Sequence, residues 1–115
     1  QAPPLGVQRW VDPTGAPMDR FELEDMGDGY KLLFCFQHAC PGCHTLGFPS
    51  LIRLIDALRG ARVRFAAIQT VFEDFAHNSY DNMLQDQLRY ALPIPFGHDA
   101  GPDQRGSSPG RCAPP

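Results

Sequence analysis

The chain has 115 residues, of which 43% are hydrophobic, and its formal net charge is −3. This length suits one small domain whose core needs no disulfide staples. Because the chain has no basic run, we expect no nucleic acid or acidic membrane surface among its partners. No apolar stretch reaches the ~20 residues of a membrane span, and no signal-peptide pattern is present at the N-terminus. The sequence therefore predicts a cytoplasmic protein.

The first part of the chain predicts two short strands and one long strand. Residues 10–12 are expected to form a short strand that ends in a turn at Asp12-Pro13-Thr14-Gly15. Residues 16–23 are expected to hold a second short strand. Residues 30–37 are almost continuously apolar, which is typical of a strand buried on both faces in the middle of an α/β sheet.

The middle of the chain predicts a helix, a second long strand and another helix. The first helix is expected over residues 50–59, and Pro49 should either kink a helix begun near Cys40 or begin a new one. A strand over 63–72 follows, and the long connection from 37 to 63 predicts a parallel, right-handed crossover. The second helix is expected over 79–92 with Ser79 as its N-cap. The apolar stripes of the two helices are Leu51, Leu54, Ile55 and Leu58, and Tyr80, Met83, Leu84, Leu88 and Leu92.

The last part of the chain changes in composition. Residues 92–96 are expected to be extended, since Pro93 and Pro95 suit a sheet edge or a loop. Residues 97–115 hold many Gly and Pro and almost nothing apolar. The composition predicts a folded domain over 1–96 and a disordered tail over 97–115.

Four cysteines occur, and only two of them have a spacing that indicates joint chemistry. The motif Cys40-Pro41-Gly42-Cys43 follows a predicted strand and precedes a predicted helix, which is the context of a thiol redox pair. Cys35 lies inside the predicted strand, where we expect a small buried thiol. Cys112 lies in the predicted tail and has no visible partner.

The position of the pair predicts different roles for its two sulfurs. Free N–H groups and the positive end of the helix dipole should stabilise the thiolate of Cys40, and a thiolate is the attacking species. Cys43, one helical turn later, can reach a mixed disulfide on Cys40 and release the substrate. Pro41 fixes one backbone dihedral between them, and Gly42 relaxes one.

Histidines flank the cysteine pair, and they allow more than one function for the motif. A protonated His38 or His44 would make the couple more oxidising, but both side chains can equally be plain solvated neighbours. Cys40-Pro41-Gly42-Cys43-His44 also matches a c-type haem attachment site, with His44 and Met83 as axial ligands. A zinc site is a further alternative, with Cys40, Cys43 and two of the histidines at 38, 44, 77 and 98.

The stretch from Leu32 to Leu51, with C-P-G-C-H followed by G-F-P, resembles the thioredoxin-like superfamily. Within it, the TlpA-like and redoxin branch of bacterial thiol–disulfide oxidoreductases is the most similar. The resemblance implies a three-layer α/β/α sandwich, with Cys40 as nucleophile and Cys43 as resolving thiol. It implies no cofactor, and partners that are protein or small-molecule disulfides and thiols. Pro49 resembles the proline that kinks the helix in this family.

The chain also departs from that family. Ala39 stands where an aromatic residue is common, and Phe34 stands where thioredoxin has a buried acid. Glu73 or Asp74 could replace that acid, although both can equally be ordinary solvated residues. The tail offers no pattern for the family's last hairpin, its cis-proline or its final helix, so we expect the fold to be incomplete at the C-terminus and its activity impaired.

Two other functions remain as alternatives to a thiol–disulfide oxidoreductase. The alkyl hydroperoxide reductase branch shares the fold, but its peroxide chemistry expects a proline and a Thr or Ser shortly before the first cysteine. Leu33, Phe36 and Gln37 occupy those positions, so an antioxidant peroxidase role is secondary. The other alternative is a redox-inactive or zinc-holding binding module.

Overall fold

The computed structural model describes residues 4–100, which form a five-stranded mixed sheet with two α-helices. The strands are β1 (Arg9–Val11), β2 (Pro17–Met18), β3 (Tyr30–Phe36), β4 (Val63–Thr70) and β5 (Phe96–Asp99), and the helices are α1 (Phe48–Ala57) and α2 (Tyr80–Arg89). A 3₁₀ helix, Leu23–Met26, precedes β3, and a π-helical turn, Cys43–Gly47, precedes α1. No helix in this part of the chain is long and apolar enough to cross a membrane.

The sheet has the strand order β2-β1-β5-β4-β3. Strands β3 and β4 pair in parallel, as the sequence predicts, and β4 pairs in parallel with β5. Strand β1 runs antiparallel to both β5 and β2. The parallel order brings the carboxyl ends of β3, β4 and β5 to one edge of the sheet, where the segment that leads to Cys40 begins.

Three strand predictions need correction. Within residues 4–100, β3 lies at the edge of the sheet rather than in its middle. Its apolar run reflects packing on both faces, which does not indicate whether a strand has one lateral neighbour or two. The strand predicted over 16–23 shrinks to Pro17–Met18, residues 19–22 are irregular, and Leu23 begins the 3₁₀ helix.

Strand β5 is the third correction, because no strand was expected beyond residue 96. All four residues of β5 are buried, and β5 lies between β1 and β4. Gly97 allows a close approach, since a Cβ at this position would lie 3.0 Å from Val7 and 3.1 Å from Trp10. A domain boundary at residue 96 therefore falls inside the sheet. The predicted disorder over 101–115 lies outside the described residues.

Both α-helices cover the same face of the sheet. Their core contains Phe36 and Ala67 from the sheet, Phe48 and Leu51 from α1 and Met83 from α2. The opposite face holds a smaller cluster built around Trp10, Met26, Ala66 and Ile68. Within residues 4–100, the N-terminal segment and the 3₁₀ helix cover this second face.

The helices begin close to the predicted positions. Ser79 caps α2, since its hydroxyl accepts a hydrogen bond from the Asn82 N–H at 3.2 Å. Helix α2 ends at Arg89 rather than at 92, and Leu88 is 81% exposed, so its assignment to the inner stripe is wrong. Leu54 of α1 is also more exposed than predicted.

Candidate active site

The two cysteines lie where β3 gives way to helical structure. Helical backbone begins at Pro41, and the Cys43 N–H donates to the Cys40 sulfur at 3.3 Å and to the Cys40 carbonyl at 3.1 Å. Both cysteines are half-buried free thiols. The first turn of the helix therefore directs a backbone N–H donor at the Cys40 sulfur.

Pro49 explains the π-helical turn between the cysteines and α1. A proline has no N–H, and in an α-helix its ring would clash with the carbonyl four residues earlier. The turn widens at this point, and the Phe48 N–H donates to the Cys43 carbonyl five residues back. The structure therefore combines both expectations for Pro49: the helix begins near Cys40 and changes its winding before the proline.

Three buried side-chain amides hold the segment that precedes Cys40. Gln69 accepts a hydrogen bond from the His38 N–H at 2.8 Å, and Asn78 accepts one from the Ala39 N–H at 2.7 Å. Gln37 accepts from the Phe72 N–H at 3.1 Å. These hydrogen bonds connect the carboxyl end of β3 to β4 and to the loop that follows β4. They position Cys40 from outside its own helix.

The thiol of Cys43 is harder to ionise than an ordinary cysteine. Loss of water around the sulfur, followed by the neighbouring Cys40 and the negative charge of Asp86, raises the pKa of Cys43 to about 11. A backbone hydrogen bond from Gln37 acts in the opposite direction. At neutral pH Cys43 is therefore a neutral thiol.

His38 and His44 are held by specific partners, rather than being plain solvated neighbours. The His38 Nδ1 lies 3.0 Å from a carboxylate oxygen of Asp86, which is 1% exposed. The His44 Nε2 lies 2.6 Å from the His38 carbonyl oxygen, and its Nδ1 lies 2.7 Å from the Tyr90 hydroxyl. One ligand atom each from His38, His44 and Asp86 lies within 4.8 Å of the other two.

Asp86 and Tyr90 were not recognised from the sequence. Asp86 lies three residues after Met83, which belongs to the predicted inner stripe of α2. A carboxylate at helical spacing from a buried apolar residue is the signal that could have identified it.

No family model and no curated protein matches the chain, but solved structures do. A thioredoxin-like superfamily protein superposes with a TM-score of 0.78 at 24% identity, covering 96% of this chain and 68% of that protein. The chain has a thioredoxin-like fold. A thiol–disulfide isomerase from Corynebacterium glutamicum gives 0.70 at 21% identity, covering 86% and 61%. A conserved protein from Geobacillus kaustophilus gives 0.67 at 24% identity, covering 93% and 53%.

The chain thus spans between about half and two thirds of the length of these thioredoxin-like structures. The likeness confirms the α/β thioredoxin-like fold predicted from the sequence. The narrower assignment to the TlpA-like and redoxin branch stays a prediction, as does the cytoplasmic location.

Several predicted site residues lie elsewhere in the thioredoxin-like fold. Glu73 and Asp74 are exposed, as expected of solvated residues, and Asp74 hydrogen-bonds His77 at 2.8 Å. Cys35 is exposed, so its assignment as a buried thiol is wrong. The side chain of Cys35 points away from Phe34 and Phe36, which face the helices, because successive residues of a strand alternate faces.

The geometry disfavours the haem site and the zinc site that the sequence left as alternatives. Met83 is fully buried in the core, so its sulfur is not accessible as an axial ligand. His98 is buried beside Gln69. Within residues 4–100, the metal-ligand cluster that forms contains His38, His44 and Asp86 and neither cysteine of the pair.

Proposed function

We propose that the chain is a thiol–disulfide oxidoreductase that acts on protein or small-molecule disulfides through Cys40 and Cys43. The observation that supports this most strongly is the hydrogen bond from the Cys43 N–H to the Cys40 sulfur, at the start of a helix that follows a strand. A thiolate is the species that attacks disulfides, and this N–H is placed to donate to the sulfur that attacks. The isomerase named among the structural neighbours acts on the same type of bond.

The reaction proceeds in two exchanges. The Cys40 thiolate attacks one sulfur of the substrate disulfide, which forms a mixed disulfide and releases the other sulfur as a thiolate. Cys43 then loses its proton and attacks the Cys40 sulfur, which releases the second substrate thiolate and leaves a Cys40–Cys43 disulfide. An external dithiol reduces that disulfide and completes the cycle. No cofactor takes part in these exchanges.

The raised pKa of Cys43 distinguishes the attacking sulfur from the resolving sulfur. At neutral pH only a small fraction of Cys43 is thiolate, so Cys40 is the sulfur that reacts first with an incoming substrate. Within a mixed disulfide, the proximity of Cys43 to Cys40 compensates for this small fraction because the second attack is intramolecular.

The test is catalysed reduction of insulin disulfides by dithiothreitol, measured for the wild type and three variants. Cys40→Ser should abolish catalysis. Cys43→Ser should also lose turnover but accumulate a mixed disulfide between Cys40 and the substrate, which mass spectrometry detects. Cys35→Ser is the matched control and should retain turnover. Retained turnover in Cys40→Ser would overturn the proposal.

A further inference from the structure

Beyond the proposed redox function, we propose that His38, His44 and Asp86 form a binding site for one first-row divalent transition-metal ion, with Zn²⁺ as the expected occupant. The three residues come from the loop before Cys40, the π-helical turn and α2. They bring two imidazoles and one carboxylate together, with a ligand atom of each within 4.8 Å of the other two. Two histidines and one carboxylate are a common ligand set for zinc with one coordination position open.

The hydrogen bonds of His44 leave one of its nitrogens available as a ligand. Its Nε2 lies 2.6 Å from the carbonyl oxygen of His38, and a carbonyl can only accept, so Nε2 carries the proton. The lone pair is then on Nδ1, which accepts from the Tyr90 hydroxyl at 2.7 Å. A metal-binding histidine typically has its other N–H bound to a carbonyl or carboxylate in this way. On metal binding, the Tyr90 hydroxyl must rotate away from Nδ1.

The charge and spacing of the other two ligands also suit a cation. The Asp86 carboxylate is almost completely buried and contacts the ring of His38, and a metal cation would supply the positive charge that favours a buried carboxylate. The His38 Nδ1 lies 3.0 Å from it, which is close to the ~3.3 Å between neighbouring ligands around a tetrahedral zinc ion. With one nitrogen from each histidine and one carboxylate oxygen within 4.8 Å of one another, the group must contract by at most about 1.5 Å to reach that spacing.

The three proposed ligands include neither thiol of the pair, so the test removes all cysteines. All four cysteines are replaced by alanine in the full chain, and Zn²⁺ binding is measured by isothermal titration calorimetry at pH 7.5. We expect one ion per chain. His38→Gln, His44→Gln and Asp86→Asn should each weaken binding by about tenfold or more. Circular dichroism checks that each variant is folded.

The matched control is His77→Gln. His77 and Asp74 form an exposed His–Asp pair with the same Nδ1-to-carboxylate contact, at 2.8 Å, but they belong to no three-ligand group within residues 4–100. This variant should bind Zn²⁺ as tightly as its cysteine-free parent. An equal loss in His77→Gln, or no saturable binding in the parent, would overturn the metal site.

A second measurement keeps the test informative if Asp86→Asn does not fold. Co²⁺ added to the cysteine-free parent should give the visible d–d absorption of a four- or five-coordinate ion, and His44→Gln should reduce that absorption. An unchanged spectrum in His44→Gln, or only the weak bands of hydrated Co²⁺ in the parent, would contradict the proposal. The insulin assay uses the intact wild-type cysteine pair without added metal, so a failure to bind metal would not bear on it, and the two proposals fail independently.

Discussion

The buried carboxylate of Asp86 lies 3.0 Å from the Nδ1 of His38, although the two residues are 48 positions apart in the chain. His38 belongs to the loop that leads to Cys40, and Asp86 belongs to the second turn of α2. The contact therefore joins the helix after β4 to the segment that positions the nucleophile. It also places one negative charge near Cys43, where it disfavours a thiolate.

Replacing Asp86 with Asn should lower the pKa of Cys43, because it removes a negative charge that opposes ionisation of the thiol. The carboxylate is the smallest of the named causes, so the decrease should be less than about one unit, and alkylation at a fixed pH below the pKa should rise less than about tenfold. The measurement is the pH profile of iodoacetamide labelling at Cys43 in a Cys35→Ala, Cys40→Ala, Cys112→Ala background.

The control for this prediction is Asp81→Asn. Asp81 is an exposed acid in the first turn of the same helix, so its replacement should leave the labelling profile of Cys43 unchanged. An unchanged or higher pKa of Cys43 in Asp86→Asn would show that the buried carboxylate does not act on the thiol.

Local features of the site could be predicted from the sequence, because they depend on neighbouring residues. The strand before Cys40, the helical start at the cysteine pair and the Ser79 cap are all of this kind. Asp86 could not be predicted as a site residue, since the partner that reveals its role is supplied by the fold. Strand β5 could not be predicted for a related reason. It is buried by the strands on either side and by the close approach of Trp10 to Gly97, and the hydrophobic periodicity of its own sequence carries no information about either contact.

His98 should make stability depend on pH. Its ring is buried, and loss of water together with the positive charge of Arg9 lowers the pKa of His98 to about 4 from 6.5. The Gln69 amide accepts from the His38 N–H through its oxygen and therefore donates to the His98 Nδ1 through its nitrogen, at 3.1 Å. Protonation of Nδ1 would break that hydrogen bond.

The direction of the effect follows from proton binding. Between pH 6.5 and 4 the unfolded chain binds a proton at His98 that the folded protein does not, so the free energy of unfolding rises with pH in this range. The folded protein should lose about 2 kcal/mol between pH 7.5 and pH 5 from this group. Urea unfolding of wild type and His98→Gln at both pH values measures it. His77→Gln should show the same pH dependence of the free energy of unfolding as the wild type. An undiminished pH dependence in His98→Gln would contradict the prediction.

Two glycines of the site helix should respond differently to alanine. A Cβ on Gly47 would lie 2.8 Å from the Phe34 ring, and that ring packs against the rings of Phe36 and Phe48, at centroid distances of 5.8 Å and 4.9 Å. Because the ring has little room to move, Gly47→Ala should destabilise the fold by about 1–3 kcal/mol.

Gly42→Ala is the matched control, since both glycines have helical dihedrals that any residue adopts. Nothing lies within 4 Å of a Cβ built on Gly42. This substitution should therefore stabilise the fold by about 0.4–1 kcal/mol, by restricting the unfolded chain. Urea unfolding measures the free energy of unfolding of both variants. Equal changes in the two would show that the contact with Phe34 does not restrict the size of the side chain at position 47.

Asn78→Ala should weaken both the fold and the proposed catalysis. The Asn78 side chain accepts from the Ala39 N–H at 2.7 Å and donates to the Glu73 carbonyl at 2.8 Å and to Gln37 at 3.3 Å. Its loss leaves partners unsatisfied in a buried region, so the free energy of unfolding should fall by about 1–3 kcal/mol. The segment before Cys40 also loses one of its anchors, and insulin reduction should slow.

Asn82→Ala separates this positioning role from a general effect of removing an amide. Asn82 lies in α2, and its side chain makes one exposed hydrogen bond, to the His77 carbonyl at 2.8 Å. Its replacement should change the free energy of unfolding by less than about 0.5 kcal/mol and leave the rate of insulin reduction unchanged. If Asn78→Ala lowers the free energy of unfolding but reduces insulin at the wild-type rate under conditions where it is folded, the amide supports the fold without positioning Cys40.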